Sequence, residues 1–118
     1  MNELSRKVIG AAFEVSNVLG VGFLEKVYEN ALLHELHERG LHAVGQRRLQ
    51  VRYKDAVVGD YIADIVVERQ LIVEVKCCSN FADEHTAQAL NYLRATGYSL
   101  ALLMNFHKPK VEIKRIAL

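Results

Sequence analysis

The chain has 118 residues, of which 51% are hydrophobic and 25% charged, and a formal net charge of +1 at pH 7. That composition excludes a disordered polymer and an overall basic field, so any surface for nucleic acid must be local. The length predicts one domain, 1–118, with room for a real core. No apolar run approaches the roughly 20 residues of a membrane span, and the charged start lacks a signal-peptide core. The two cysteines, Cys77 and Cys78, are neighbours, a poor arrangement for a disulfide and at best half a zinc site. A soluble protein of a reducing cytoplasm, with no membrane partner, is expected.

Val8, Ala12, Val15 and Leu19 recur at helical spacing before Gly20-Val21-Gly22 interrupts them. A second helix is predicted from about Phe23 to Arg39, closed by Gly40. From Arg47 the period changes to two: Leu49, Val51 and Tyr53 alternate with Arg48, Gln50, Arg52 and Lys54, a strand with one wet, basic face. Lys54-Asp55-Ala56 reads as a turn. Segments from about Val57 to Val67 and Leu71 to Cys77 are β-branched and apolar on both faces, as central strands are. Ser79 or Asn80 can cap a helix running through Asp83 to Ala95, which Gly97 ends. Ser99 to Phe106 is a further apolar strand and Val111 to Ile116 a more polar last one. The order predicts an α/β fold: a three-strand antiparallel meander, a crossover helix and two further strands in one mixed sheet flanked by helices. The fourth strand should run parallel to the third.

Three ionisable residues stand in these apolar strands: Asp64, Glu74 and Lys76. Buried charges are costly unless they pair or bind a metal. If Glu68-Arg69-Gln70 forms the hairpin loop, facing residues have numbers that sum to 138, and Asp64 and Glu74 satisfy that sum. The two acids would then face each other, Cβ atoms ~4.5–5.5 Å apart, with Lys76 on the same face. A slip of one residue would separate them. Two carboxylates so close repel, and a divalent cation such as Mg²⁺ would remove the conflict. Lys76 would orient or deprotonate a water, or stabilise a phosphate oxygen. The bland alternative is a buried ion pair, weakened by two acids facing one base.

At these residues the sequence resembles the PD-(D/E)XK nuclease superfamily, whose signature is an Asp on one strand and (Asp/Glu)-x-Lys on the next. Here it reads Ala63-Asp64 and Glu74-Val75-Lys76, with alanine in place of the motif's proline. Upstream, Gly22-Phe23-Leu24-Glu25-Lys26-Val27-Tyr28 resembles the G-x-x-E-x-x-Y motif of the small bacterial GxxExxY proteins of that superfamily. The likeness continues through Glu29-Asn30-Ala31-Leu32 and from Asn91-Tyr92-Leu93 to Asn105-Phe106. It implies a restriction-endonuclease-like fold in which Asp64, Glu74 and the Val75 carbonyl hold Mg²⁺ or Mn²⁺ and Lys76 acts on the water. It further implies that Glu25 is the first-helix acid, an outer or direct metal partner. Gln88 and Tyr92 match a Q-x-x-x-Y element that supports the site or the DNA in RecB-like members.

Glu25, Tyr28, Leu32 and Leu36 share a helical stripe, so Glu25 is either a site acid or an acid favoured by a helix N-terminus, with Glu29 as its substitute. Tyr28 is placed with the supporting residues. His85 lies on the stripe of Gln88 and Tyr92 as a secondary candidate. His34 and His37 do not form H-E-x-x-H and read as a solvated face. Arg48, Arg52 and Lys54 at one end, with Lys108 and Lys110 at the other, would bracket a groove for a phosphate backbone. The expected activity is a Mg²⁺-dependent phosphodiesterase acting on nucleic acid, DNA in preference to RNA, from a homodimer. The rivals are a non-catalytic nucleic-acid-binding or assembly module on the same fold, and a structural protein.

Overall fold

A computed structural model describes residues 2–118. Two helices come first: α1 (Glu3–Leu19), capped by the Asn2 side chain accepting the Ser5 N–H at 2.7 Å, and α2 (Glu25–Glu38). Then follow β1 (Ala43–Tyr53), β2 (Ala56–Val67), β3 (Leu71–Lys76), α3 (Asp83–Thr96), β4 (Leu100–Asn105) and β5 (Glu112–Ala117). The five strands form one sheet in sequence order, antiparallel throughout except for β3 and β4, which are parallel. That is the α/β mixed sheet with a crossover helix that the sequence predicts.

The sheet buries both faces, as its apolar central strands require. On one face Val8, Ala12 and Val15 of α1 and Tyr28, Leu32 and Leu36 of α2 pack on Ile65, Val73, Leu102 and Met104. On the other, Ala89, Tyr92 and Leu93 of α3 cover Ala63, Ile72, Ala101 and Leu103.

Three expectations need correction. The helix α3 begins at Asp83 with Ala82 as its cap, not Ser79 or Asn80. The chain is delayed because the Asn105 side chain clamps the Cys78 backbone, accepting its N–H at 3.1 Å and donating to its carbonyl at 2.7 Å. The His85 Nδ1 then accepts the Ala82 N–H at 3.1 Å, so this histidine is a helix-start residue. Second, β1 begins at Ala43 rather than Arg47. Its alternation is hidden because Gln46 has a left-handed φ of 51°. Third, β2 is central only over its last residues. Before Ile65 it pairs with β1 alone, so Val57, Val58 and Ile62 are exposed on a two-stranded ribbon reaching past the sheet.

Candidate metal centre

Alternation in a strand puts residues i and i+2 on one face. Around Asp64 that rule breaks: Ala63 joins the core under α3, whereas Ile65 joins the core under α1 and α2. The neighbouring strand breaks at the same level. Gly45 faces Ile65 and Arg47 faces Ala63, so Gln46, with its left-handed backbone, stands opposite Asp64. On the other side β2 and β3 pair as Ile65↔Val73, Val66↔Ile72 and Val67↔Leu71, in the predicted register, and then part. Asp64 and Glu74 are therefore the first residues beyond the ladder rather than a pair within it.

They meet nonetheless, each using the other strand's free backbone. Asp64 Oδ2 accepts the Val75 N–H at 2.8 Å, and Glu74 Oε1 accepts the Asp64 N–H at 3.4 Å. Glu74 is 3% exposed and Asp64 half-buried. Burial, and then the Asp64 charge and a hydrogen bond to its carboxylate, push the Glu74 carboxyl up to about 9. Asp64 is also raised, by burial and by Glu29, against the pull of the Val75 N–H, the Glu74 hydrogen bond and Lys76. Lys76 is half-buried and lowers both acids, yet it forms no ion pair within 4.0 Å with any described carboxylate. The acids thus face each other without a bonded cation.

The turn before α2 explains the spacing Gly22, Glu25, Tyr28. Gly20 and Gly22 have φ of 70° and 103°, open to glycine at little cost. The fully buried Tyr28 reaches back to this turn: its hydroxyl donates to the Gly20 carbonyl at 2.6 Å and accepts the Phe23 N–H at 3.3 Å. Its ring stacks on Phe106, centroids 4.9 Å apart. Glu25 is then the first residue of α2, where the helix dipole favours an acid. Burial raises its carboxyl; Lys76 and the Cys77 backbone N–H oppose that, while Asp64 and Glu29 add to it. Glu25 thus lies within electrostatic reach of Asp64 and Lys76.

Glu29, the substitute acid, is the more buried of the two at 7% exposed. It accepts from Lys26 Nζ at 2.9 Å and from Gln46 Nε2 at 2.6 Å. Gln46 escaped the sequence reading; its only signal is a polar residue between a glycine and the basic alternation. Asn105 stood in the sequence reading only as part of the resembling stretch, with no role given. It is a fully buried amide at the end of an apolar strand, and it also accepts the His107 N–H at 3.1 Å.

From the α3 side, Tyr92 packs edge-on against Tyr61 with centroids 5.5 Å apart, and its hydroxyl donates to the Ile62 carbonyl at 3.4 Å. Burial, and then the Glu74 and Asp64 charges, push that hydroxyl up to about 12. Gln88 is half-buried one turn earlier and hydrogen-bonds to none of the site residues. Arg48, Arg52 and Lys54 are exposed on the ribbon that passes the site on one side. Lys108 and Lys110 are exposed in the β4–β5 loop at the end where β3 and β4 finish, and Lys108 pairs with Glu112 at 3.6 Å. These cations remain on separate elements.

Among the described residues no three His, Cys, Asp or Glu side chains close into a metal cage. The donor chemistry still fits a hard divalent ion: two carboxylates crossed over the same strand ends, one deeply buried, with no side-chain cation bonded to either. No described helix is long and apolar enough to cross a membrane.

A mixed five-stranded sheet that parts at an Asp and at a Glu-x-Lys is the core of a nuclease-type fold. The family model of the PD-(D/E)XK nuclease superfamily matches residues 2–116, and the chain belongs to that superfamily. No curated protein and no solved structure gives a significant match. Membership makes a phosphodiesterase acting on nucleic acid with divalent metal the coarse expectation, in a superfamily that also has non-catalytic members.

Proposed function

We propose that the protein hydrolyses phosphodiester bonds of nucleic acid with Mg²⁺ or Mn²⁺ held by Asp64, Glu74 and the Val75 carbonyl. One observation carries this reading: two carboxylates at the end of a strand pair, each bonded to the other strand's backbone, with no side-chain cation bonded to either. A bound divalent ion would neutralise the acids and supply Lewis acidity at the scissile phosphate. Lys76, free of an ion pair, keeps its ammonium available to orient the attacking water or to stabilise charge on a phosphate oxygen. Glu25 stands at the rim as an outer or direct metal partner, held there by the Tyr28 clamp. Tyr92 and Gln88 support the site from α3. Arg48, Arg52, Lys54, Lys108 and Lys110 draw the polyanion in from either side. A cytoplasmic homodimer acting on DNA fits this reading.

A non-catalytic nucleic-acid-binding module is the second reading, favoured by the absence of a closed three-ligand cage among the described residues. Purified protein incubated with single- and double-stranded DNA and RNA, with Mg²⁺, Mn²⁺ or EDTA, separates the two. Metal-dependent cutting lost in Glu74→Ala and in Lys76→Ala supports the enzyme. Binding without cutting in any metal supports the module.

A further inference from the structure

The chain is nearly neutral, yet its arginines are not evenly spread. Three depressions follow one another on the α3 face of the sheet. The first, about 510 Å³, lies between the ribbon and α3 and is lined by Gln50, Arg52, Tyr61 and Arg94. The second shares Gln50 and Ala95 with it and adds Arg47 and Arg48. The third shares Arg47 and Tyr98 with the second and adds Arg69. Shared walls make them one trench. The walls of these three carry five of the chain's eight arginines and no Asp or Glu; the one acid nearby, Glu68, lines a smaller hollow at the far end that shares His42 and Arg69. Among the described residues none of those five arginines has an ion-pair partner.

We infer that this trench binds one strand of nucleic acid and leads it to the metal centre. The inference rests on the reading of that centre as phosphodiester-directed. Charge complementarity selects a polyanion, because unpaired guanidiniums lining a groove without acids attract phosphates. Aromatic rings select unpaired bases: Tyr61 and Tyr98 line the same walls, and stacking on exposed rings is how single strands are gripped without sequence preference. The trench also ends in the right place. Tyr61 packs on Tyr92, whose hydroxyl donates to the carbonyl of Ile62, two residues before Asp64. A duplex presents its bases stacked inward and so offers these rings no free base to stack on. This surface is distinct from the Lys108–Lys110 loop, which flanks the other side of the site.

The test is binding measured in EDTA, so that it does not depend on cutting. Fluorescence anisotropy with a labelled oligodeoxythymidylate, an oligouridylate and a blunt hairpin duplex is read across a salt series. Both single strands should bind more tightly than the duplex. Arg47→Gln with Arg94→Gln should weaken single-strand binding roughly tenfold and flatten its salt slope by about 1.4, two phosphate contacts at ~0.7 each. Tyr61→Ala should weaken it with the slope unchanged, and Tyr61→Phe should restore it. Arg6→Gln with Lys7→Gln, exposed on α1 across the sheet from the trench, should leave both affinity and the preference for single strands intact. Circular dichroism confirms that each variant is folded. Wild-type affinity and slope in the arginine variant, or a duplex bound as tightly as the single strands, would overturn the inference. Arginine-dependent single-strand binding without metal-dependent cutting would uphold the trench and defeat the proposed reaction. Cutting indifferent to these arginines would do the reverse.

Discussion

Glu74→Gln should make the metal-free protein more stable at pH 8 than the wild type and about equally stable at pH 5. In the folded state the Glu74 carboxyl is held up near 9 by burial and by Asp64, against an ordinary 4.5. Between those two values the unfolded chain releases a proton that the folded chain retains, so stability falls as pH rises from about 4.5 to about 9. Each pH unit costs about 1.4 kcal/mol, which sets a ceiling of about 5 kcal/mol at pH 8. Glutamine keeps the shape and the acceptor for the Asp64 N–H but takes up no proton, so it escapes this loss. Even a third of the ceiling would separate the two melting temperatures by roughly 6 °C in a domain of this size. Calorimetry in EDTA at pH 5, 6.5 and 8 reads the difference, and other titrating groups cancel between the two proteins. Added Mg²⁺ at about 100 times its Kd should then raise the wild type by ~2.7 kcal/mol and the variant by much less. An advantage of the variant that is the same at every pH, or a wild type that gains stability across this range, would refute the account of two uncompensated acids.

Other expected outcomes follow from single contacts. Lys76→Ala should abolish cutting while keeping the thermal stabilisation by Mg²⁺, because the lysine bonds to neither acid; loss of both would make it a structural partner. Tyr28→Phe removes two hydrogen bonds that fix the turn before Glu25, and should cost ~1–3 kcal/mol in denaturant unfolding. Asn105→Ala strips a fully buried amide that clamps half-buried Cys78 and accepts the His107 N–H, and should cost ~2–4 kcal/mol by the same measurement.

The parts of the fold that were legible are those where pattern and burial agree. The strands β3 and β4 are short, buried on both faces and ended by polar residues, so their runs of apolar side chains mark them without ambiguity. The register of β2 on β3 followed from the loop at Glu68-Arg69-Gln70, because a hairpin centre fixes which residues face. The exposed half of β2 was not legible: Val57, Val58 and Ile62 are as apolar as Ile65 to Val67, and only the length of the neighbouring strand decides which half is covered. Nor does sequence reveal a left-handed Gln46, since a residue with a Cβ rarely takes that conformation. The contact of Asp64 with Glu74 was foreseen, but as facing side chains in a ladder. What joins them is a pair of side-chain-to-backbone bonds past its end, and that depends on where the strands part.

That parting gives the site its physical logic. Where β2 leaves β3, the N–H groups of Asp64 and Val75 lose their ladder partners, and a buried N–H must find another acceptor. Glu74 and Asp64 supply those acceptors crosswise, so the same two carboxylates that would hold a cation also close the end of the sheet. Their positions are fixed by the backbone before any ligand arrives. The cost of keeping two acids together is then borne by the fold through the raised Glu74 and Asp64 carboxyls, rather than by loop ordering at the moment of binding. Gln46 completes the arrangement from the opposite strand. Its left-handed backbone coincides with the reversal of faces in β1, and its amide holds Glu29 beside the acids. A strained residue with no glycine to relieve it sits at the level of the site, where such strain is most often retained for function.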